Sequence, residues 1–331
     1  MIIAEIGQAH DGSVGILHSY IDALANTGVD AVKFQTHIAE AESSSFETFR
    51  VPFSYVDKSR YDYWQRMQLT TEQWVEVKEH CHKVGLQFIS SPFSCQAVDV
   101  LKAAGVDCYK VGSGEVTNLL MLEKIAETGK PVILSSGMST LQELDTAVGL
   151  FKEKKIEVSV LQCTTAYPTK PSEWGLHIIK QLKTRYNIAT GLSDHSGDMM
   201  ACLAATALGA DLLEFHVVFD KRMFGPDARA SIEIDEIERL AIGVKQIRAS
   251  LENTFCKDSI AESMSGLKQL FGKSLCVNKD LPTNHTISVK DLEAKKPSGY
   301  GIAPSDYKSI IGKKLNKALS QWDFLNHKDF Q

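Results

Sequence analysis

The chain predicts an α/β protein, a (β/α)8 TIM barrel followed by a small C-terminal domain. Three observations predict it: eight short apolar segments recur at barrel-like spacing, segments of helical periodicity alternate with them, and nearly every apolar segment ends in a polar group able to do chemistry.

Taken in order, the first strand is expected over residues 2–6, which carry Glu5. Residues 30–35 carry Lys33 and Gln35, 86–91 end in Ser91, 107–111 carry Lys110, and 131–136 carry Ser135. Residues 157–164 end in Thr164, 188–193 end in Ser193 with His195 just beyond, and 211–216 carry Glu214 and His216. In a barrel these carboxyl ends converge on one mouth, where such folds place their active sites. Helical spacing of apolar residues falls between them, at 15–26, 73–84, 119–128, 141–152, 172–185 and 234–251. A doubly wound open sheet is the structural rival, but Gly7 and Gly12 do not form the GxGxxG turn expected after its first strand.

The connection from His37 to Thr70 is long for a βα loop and rich in aromatics: Phe46, Phe49, Phe53, Tyr55, Tyr61, Tyr63 and Trp64. It is read either as a cover over the mouth or as packing on the rim. After Asn253 the pattern changes, with a strand over 274–277, a Lys-Asp-Leu-Pro turn and a Lys-Lys-Pro-Ser-Gly-Tyr-Gly-Ile segment at 295–302. The expected division is a barrel over 1–265 and a small domain over 266–331, near the lower size limit for standing alone.

Composition sets outer limits. The 331 residues, 44% hydrophobic and 23% charged, suffice for a full barrel core. A net charge of −5 gives no electrostatic case for nucleic acid or an anionic membrane, so any anion needs a local site. Seven scattered cysteines without a CxxC pair fit reduced thiols, and no run approaches the roughly 18 apolar residues of a membrane span. The amino terminus reads directly as a strand, with no signal peptide, and the expected location is the cytoplasm.

His195 and His216 fall at the ends of neighbouring strands seven and eight, where two imidazoles can share one divalent ion, with Asp194, Glu214 and Asp227 nearby. Two nitrogen ligands suit manganese, iron, cobalt or zinc better than magnesium, and such an ion polarises a carbonyl oxygen. Lys33 and Lys110 sit in strand-like runs, where a lysine belongs only if it faces a polar cavity. A buried ammonium needs a partner, and an anion is the natural one. Gly112-Ser113-Gly114, Ser135-Ser136-Gly137 and Ser193 supply turns whose N–H groups and hydroxyls cradle phosphate or carboxylate oxygens. A small dianion facing a Lewis acid points to carbon–carbon bond formation with a carbonyl partner.

The motifs carrying these residues run the length of the chain: Ala-Glu-Ile-Gly-Gln-Ala-His-Asp-Gly at 4–12, Val-Lys-Phe-Gln-Thr-His at 32–37, Phe-Ile-Ser-Ser-Pro-Phe-Ser at 88–94, Tyr-Lys-Val-Gly-Ser-Gly-Glu at 109–115, Leu-Ser-Ser-Gly-Met at 134–138, Gly-Leu-Ser-Asp-His at 191–195 and Gly-Pro-Asp at 225–227. In them the chain resembles the bacterial sialic acid synthase family, the N-acetylneuraminate synthases and their legionaminate and pseudaminate relatives. The resemblance implies a transferase that condenses phosphoenolpyruvate with an open-chain N-acylated hexosamine, typically N-acetylmannosamine, releasing phosphate and a nine-carbon 2-keto acid. It implies a divalent metal on His195 and His216, manganese first, with magnesium or cobalt as alternatives. It assigns Lys33, Ser91, Lys110, Ser113, Ser135, Thr165 and Ser193 to phosphoenolpyruvate, Gln35, Glu115, Tyr167 and Asp227 to the sugar, and Glu5 to the attacking water. The C-terminal segment resembles the family's antifreeze-like (SAF) domain, which implies a homodimer with each small domain reaching over the partner's barrel.

Two positions depart from the family pattern. Many members carry Arg-Pro in the small domain to hold the N-acyl group, where this chain has Lys296-Pro297, a point charge in place of a planar fork. Around Thr165 many relatives read Cys-Thr-Ser-Asn-Tyr-Pro, whereas this chain reads Cys-Thr-Thr-Ala-Tyr-Pro, which keeps a hydroxyl donor. A legionaminate or pseudaminate synthase acting on a 2,4-diacetamido-2,4,6-trideoxyhexose is the alternative acceptor reading. Seven- and eight-carbon sugar-acid synthases are close rivals too, but they act on phosphorylated aldoses and lack the C-terminal domain; a class I aldolase with Lys110 as Schiff base and a carbohydrate- or ice-binding module are the more distant ones.

Overall fold

A computed structural model describes residues 1–331. They form two compact units, Met1–Glu252 and Asn253–Gln331.

In the first unit, strands β1 (Ile2–Gly7), β2 (Ala31–Thr36), β3 (Gln87–Pro92), β4 (Cys108–Val111), β5 (Val132–Ser135), β6 (Val158–Cys163), β7 (Thr190–Asp194) and β8 (Leu212–Val218) pair in parallel in chain order, and β1 pairs with β8 to close the barrel. All eight lie where the sequence expects them. Helices α1 (Val14–Leu24), α4 (Thr71–Lys83), α6 (Leu119–Ala126), α7 (Leu141–Glu153), α8 (Leu176–Tyr186) and α10 (Ile234–Glu252) match the periodic segments; α5 (Cys95–Ala104) and α9 (Met200–Ala207) complete the ring. The starts are written locally. Thr70 with Gln73 and Thr140 with Glu143 form capping boxes that satisfy the first free N–H groups of α4 and α7. Trp74, Val77 and Cys81 then recur at helical spacing as the buried face of α4.

The side-chain period of two along each strand builds the site. Ile3, Ala31, Ile89, Cys108, Ile133, Leu161 and Leu212 point inward and form an apolar floor of their own. Two residues further along the same strands stand Glu5, Lys33, Ser91, Lys110, Ser135, Cys163 and Glu214, all buried, with Ser193 on β7. The barrel interior thus passes from hydrocarbon to charge within one pleat. On β7 the preceding inward position is Gly191, where a Cβ would lie 1.8 Å from the Leu212 carbonyl oxygen of β8.

The 37–70 connection is not structureless. It contains α2 (Ala39–Glu42) and α3 (Arg60–Met67), the latter started by a Ser59/Asp62 capping box. Ala39, Tyr63, Trp64 and Met67 form a buried cluster with Phe49, Phe53 and Tyr61 against it, whereas Phe46 and Tyr55 are more than 90% exposed. Arg66 ties the segment down by pairing with Asp57 (2.7 Å) and with Asp11 of the first βα turn. Gly12 permits that approach: at φ +79°, a Cβ there would sit 2.3 Å from the Arg66 carbonyl oxygen. Gly12→Ala is therefore expected to loosen the 38–68 segment while the barrel stays folded. Limited trypsin digestion should cut at Arg50 and Arg60 faster than in the parent; an unchanged pattern would show that the segment is held without this contact.

The second unit begins ahead of the expected boundary at 265. It takes in α11 (Lys257–Ser263) and α12 (Ser265–Phe271), because α12 is tied to the small domain where Ser298 N donates to the Gln269 carbonyl. Its core is Leu275, Val277, Leu281, Ile287, Ile302, Ile310, Leu315, Leu319 and Leu325, around the antiparallel pair of β9 (Ser274–Val277) and β10 (Leu292–Lys295). An internal duplication escaped the sequence reading. Asn278, Lys279 and Asp291 recur at one constant offset as Asn316, Lys317 and Asp329. In each copy the lysine pairs with a buried aspartate and the asparagine side chain donates to backbone carbonyls beside it.

Candidate active site

A cavity of about 520 Å³ opens at the carboxyl ends of the barrel strands, a volume that fits small-molecule sites. Its walls bring together Glu5, Lys33, Gln35, Ser91, Lys110, Ser113, Glu115, Ser135, Thr165, Tyr167, Ser193, His195, His216 and Asp227. Of the residues singled out in the sequence, Lys296 alone belongs to the second unit, where its ammonium lies 5.1 Å above the Phe271 ring.

At the bottom sit four buried charges. Lys33 Nζ lies 2.8 Å from Glu5 Oε1 and 3.5 Å from Glu214 Oε1, and Lys110 Nζ lies 3.3 Å from Glu214 Oε1. Lys110 also donates to Ser135 Oγ (2.6 Å), and Ser193 Oγ donates to Glu214 Oε1 (2.9 Å). The lysines are thus partnered by carboxylates as well as open to an anion, which the sequence reading did not anticipate. Burial alone would raise the pKa of Glu5, but the His216 imidazole and the Lys33 ammonium outweigh it and hold the carboxyl well below its usual range. Glu214 is likewise held down against burial by Lys110 and Lys33, whereas burial, aided by Lys33, lowers Lys110. Glu214 Oε2 is buried without a partner, an acceptor left over for a donor from the cavity.

Beside the charges is a small cradle. Gly137 N donates to Ser113 Oγ (3.1 Å), and a Cβ on Gly137 would lie 2.5 Å from Thr165 Oγ1, 2.6 Å from Ser113 Oγ and 3.0 Å from Cys163 Sγ. Glycine keeps that space open for a guest atom.

The two imidazoles stand above, with ring centroids 5.4 Å apart. His195 Nδ1 lies 2.9 Å from the Thr164 carbonyl, and Nε2 faces the Tyr167 hydroxyl at 3.1 Å beneath a stacked ring. Burial opposes charge on His195, but the Cys163 sulfur 4.0 Å from Nδ1 and the Thr164 carbonyl outweigh it and lift the pKa to about 9. A carbonyl held at Nδ1 fixes the ring, so Nε2, which faces the Tyr167 hydroxyl, is the nitrogen that a metal would take in place of a proton. No group of three or more His, Cys, Asp or Glu side chains is set at metal-binding spacing, so His195 and His216 would have to be the protein's only ligands to an ion there. Two of the flanking carboxylates turn elsewhere. Asp194 points out of the barrel, since strand alternation sends 193 and 195 inward, and it accepts from Ser196 N and Oγ. Glu214 faces the lysines, and it is Glu5 Oε2 that approaches His216 Nε2, at 3.3 Å.

The long connection supplies residues the sequence reading missed. His37 is sandwiched between Trp64 (3.8 Å) and Phe93 (4.5 Å), with the Arg60 guanidinium 4.2 Å above Trp64. Its Nδ1 meets Glu42 Oε1 at 2.8 Å and its Nε2 meets Gln35 Oε1 at 3.2 Å; Gln35 in turn donates to Glu5 Oε1 at 2.8 Å. Tyr63 OH donates to Gln8 Oε1, and Gln8 Nε2 donates to Gln35 Oε1, so the outer stack orients the carboxylate at the bottom. The only signals in the sequence were the aromatic content of the segment and the placement of Gln8 and His37 within motifs.

A family model described as the NeuB family matches residues 20–255. The chain is 33% identical over 323 residues to the N,N'-diacetyllegionaminic acid synthase of Campylobacter jejuni subsp. jejuni serotype O:2, covering 96% of each chain. It is 31% identical to the pseudaminic acid synthase of C. jejuni serotype O:23/36, over 100% of this chain and 96% of that one. Among solved structures, the N-acetylneuraminic acid (sialic acid) synthetase of Leptospira borgpetersenii serovar Hardjo-bovis, in complex with citrate, superposes with a TM-score of 0.70 at 28% identity, over 81% of this chain and 92% of that one.

Proposed function

Because the chain belongs to the NeuB family, we propose that it joins phosphoenolpyruvate to the open-chain aldehyde of an N-acylated hexosamine, with water, to give a nine-carbon 2-keto sugar acid and phosphate. The observation that carries this reading is the stacking of two zones in one cavity: two lysines and a glycine-kept cradle at the bottom, two imidazoles above.

In this scheme Lys33 and Lys110 neutralise the donor's carboxylate and phosphate, while Ser91, Ser113, Ser135, Thr165 and Ser193 offer hydroxyls, that of Ser193 turning to the donor from Glu214. Gln35, Glu115, Tyr167 and Asp227 orient the sugar. His195 and His216 would hold a divalent ion, manganese first and magnesium or cobalt otherwise, which when bound polarises the aldehyde oxygen. Carbon 3 of phosphoenolpyruvate bonds to the aldehyde carbon, whose oxygen takes one proton of the water that adds at carbon 2; the other water proton goes to the phosphate, which leaves with the bridging oxygen as the ketone forms. Glu5, held ionised by its neighbours, orients that water and is a weak base in the ligand-free state. The orphan Glu214 Oε2 offers a second acceptor for it.

A 2,4-diacetamido-2,4,6-trideoxyhexose acceptor is the second reading, supported by the legionaminic and pseudaminic acid synthases among the relatives. With either acceptor, the proposed function takes the second unit as an antifreeze-like domain and the protein as a homodimer in which each small domain serves the partner's barrel. No helix is long and apolar enough to cross a membrane.

Phosphate release from phosphoenolpyruvate, measured across acylated, unacylated and phosphorylated aldoses, is expected only with an acylated sugar and only without chelator. His195→Ala and His216→Ala are each expected to abolish it with the circular dichroism unchanged. Release that survives in either variant would remove the imidazoles from the chemistry. A pyruvate adduct trapped by borohydride on Lys110, whose amine burial makes easier to deprotonate, would favour the aldolase instead.

A further inference from the structure

Arg50 stands at the mouth of the cavity, on the long segment after β2, and no motif pointed to it. Its guanidinium lies 4.4 Å above the Tyr167 ring, and its Nη2 reaches Asp227 Oδ1 at 3.6 Å. It therefore bridges two residues from different loops that the proposed function gives to the sugar. Arginine carries five N–H donors in a planar fork, and one long contact leaves most of them free. The other cation of the upper wall is already engaged: Arg60 lies on Trp64 and pairs with Glu47 at 3.3 Å.

The surroundings narrow the guest. Val51 and Phe53 line the same cavity beside Arg50, an apolar wall next to a donor fork. Glu42, Glu47, Glu115 and Asp227 line it as well, and their carboxylates disfavour a phosphate or second carboxylate on the acceptor. A donor flanked by hydrocarbon within an acidic rim suits a neutral amide, with its carbonyl oxygen on the guanidinium and its alkyl end on the wall.

We infer that Arg50, contributed by the chain's own long loop, is the specificity residue that receives the N-acyl group of the acceptor sugar. This rests on the proposed function. The role departs from the small-domain arginine expected of the family, whose position here is Lys296.

The test compares N-acetylmannosamine with mannose and with N-acetylmannosamine 6-phosphate in the full-length protein, by phosphate release at saturating phosphoenolpyruvate. In Arg50→Ala the Michaelis constant for N-acetylmannosamine is expected to rise about tenfold or more, as for loss of a charge-assisted hydrogen bond. The constant for phosphoenolpyruvate and the melting temperature should stay put, because the side chain is 52% exposed and its partners Tyr167 and Asp227 are both on the sugar side. Arg50→Lys, which keeps charge without the fork, should fall between. Turnover with an unshifted preference for the acylated sugar in Arg50→Ala overturns the Arg50 assignment alone. A parent enzyme that prefers the 6-phosphate and loses that preference in Arg50→Ala overturns the amide chemistry. Absence of turnover with every acylated sugar overturns the proposed function and this inference with it.

Discussion

Gly137→Ala is expected to abolish phosphoenolpyruvate binding in a protein that still folds. The added methyl would stand within 3.0 Å of Thr165 Oγ1, Ser113 Oγ and Cys163 Sγ, all side-chain atoms. Short side chains relieve such a clash by rotating away, at roughly 1–3 kcal/mol, and so the backbone survives. The same rotation carries two hydroxyl donors out of the cradle while the methyl fills it. Affinity should fall about 100-fold or more, since each 1.4 kcal/mol or so is a factor of ten. Calorimetric titration with phosphoenolpyruvate, beside a thermal melt, reads both effects. Parent-like affinity in the alanine variant would place the anion elsewhere.

Glu214→Gln should be the most destabilising conservative change in the barrel. Its carboxylate is the direct ion-pair partner of Lys110, with Glu5 further off, and is shared with Lys33, all three groups being buried. Removing one charge from such a cluster leaves an uncompensated buried ammonium, typically a loss of about 3–5 kcal/mol. An anion bound in the cavity supplies the missing charge, so inorganic phosphate at millimolar concentration should recover much of the lost melting temperature by mass action. The parent, already compensated, should gain less. A glutamine variant that melts like the parent, or that ignores phosphate, would show that the lysines do not depend on Glu214.

These residues differ in how far they could be read from the sequence. All eight strands and the polar group near each carboxyl end were legible, because a period of two ties every buried Ile3- or Leu212-type position to a Glu5- or Glu214-type position next along the same wall. That period also sends Asp194 outward, a step the sequence reading omitted when it grouped Asp194 with the imidazoles. Pairings between strands were not legible: nothing local tells Glu214 to face Lys110 rather than His216. Arg50, His37 and Glu42 lie in or beside the 37–70 connection, whose position depends on the contact of Arg66 with the distant Asp11 as well as with Asp57. The change of pattern after Asn253 was legible, but the boundary was set at 265 because the helices in between bury none of their residues and so carry no core signal.

The apolar floor beneath the charged row also bears on traffic. A pocket stoppered at its base by Ile3, Ile89, Ile133, Leu161 and Leu212 is reached from the strand ends. On the proposed reaction the phosphate-bearing reactant occupies the cul-de-sac and the sugar the threshold, so entry must follow a queue, donor ahead of acceptor. Inorganic phosphate, trapped deepest, departs last.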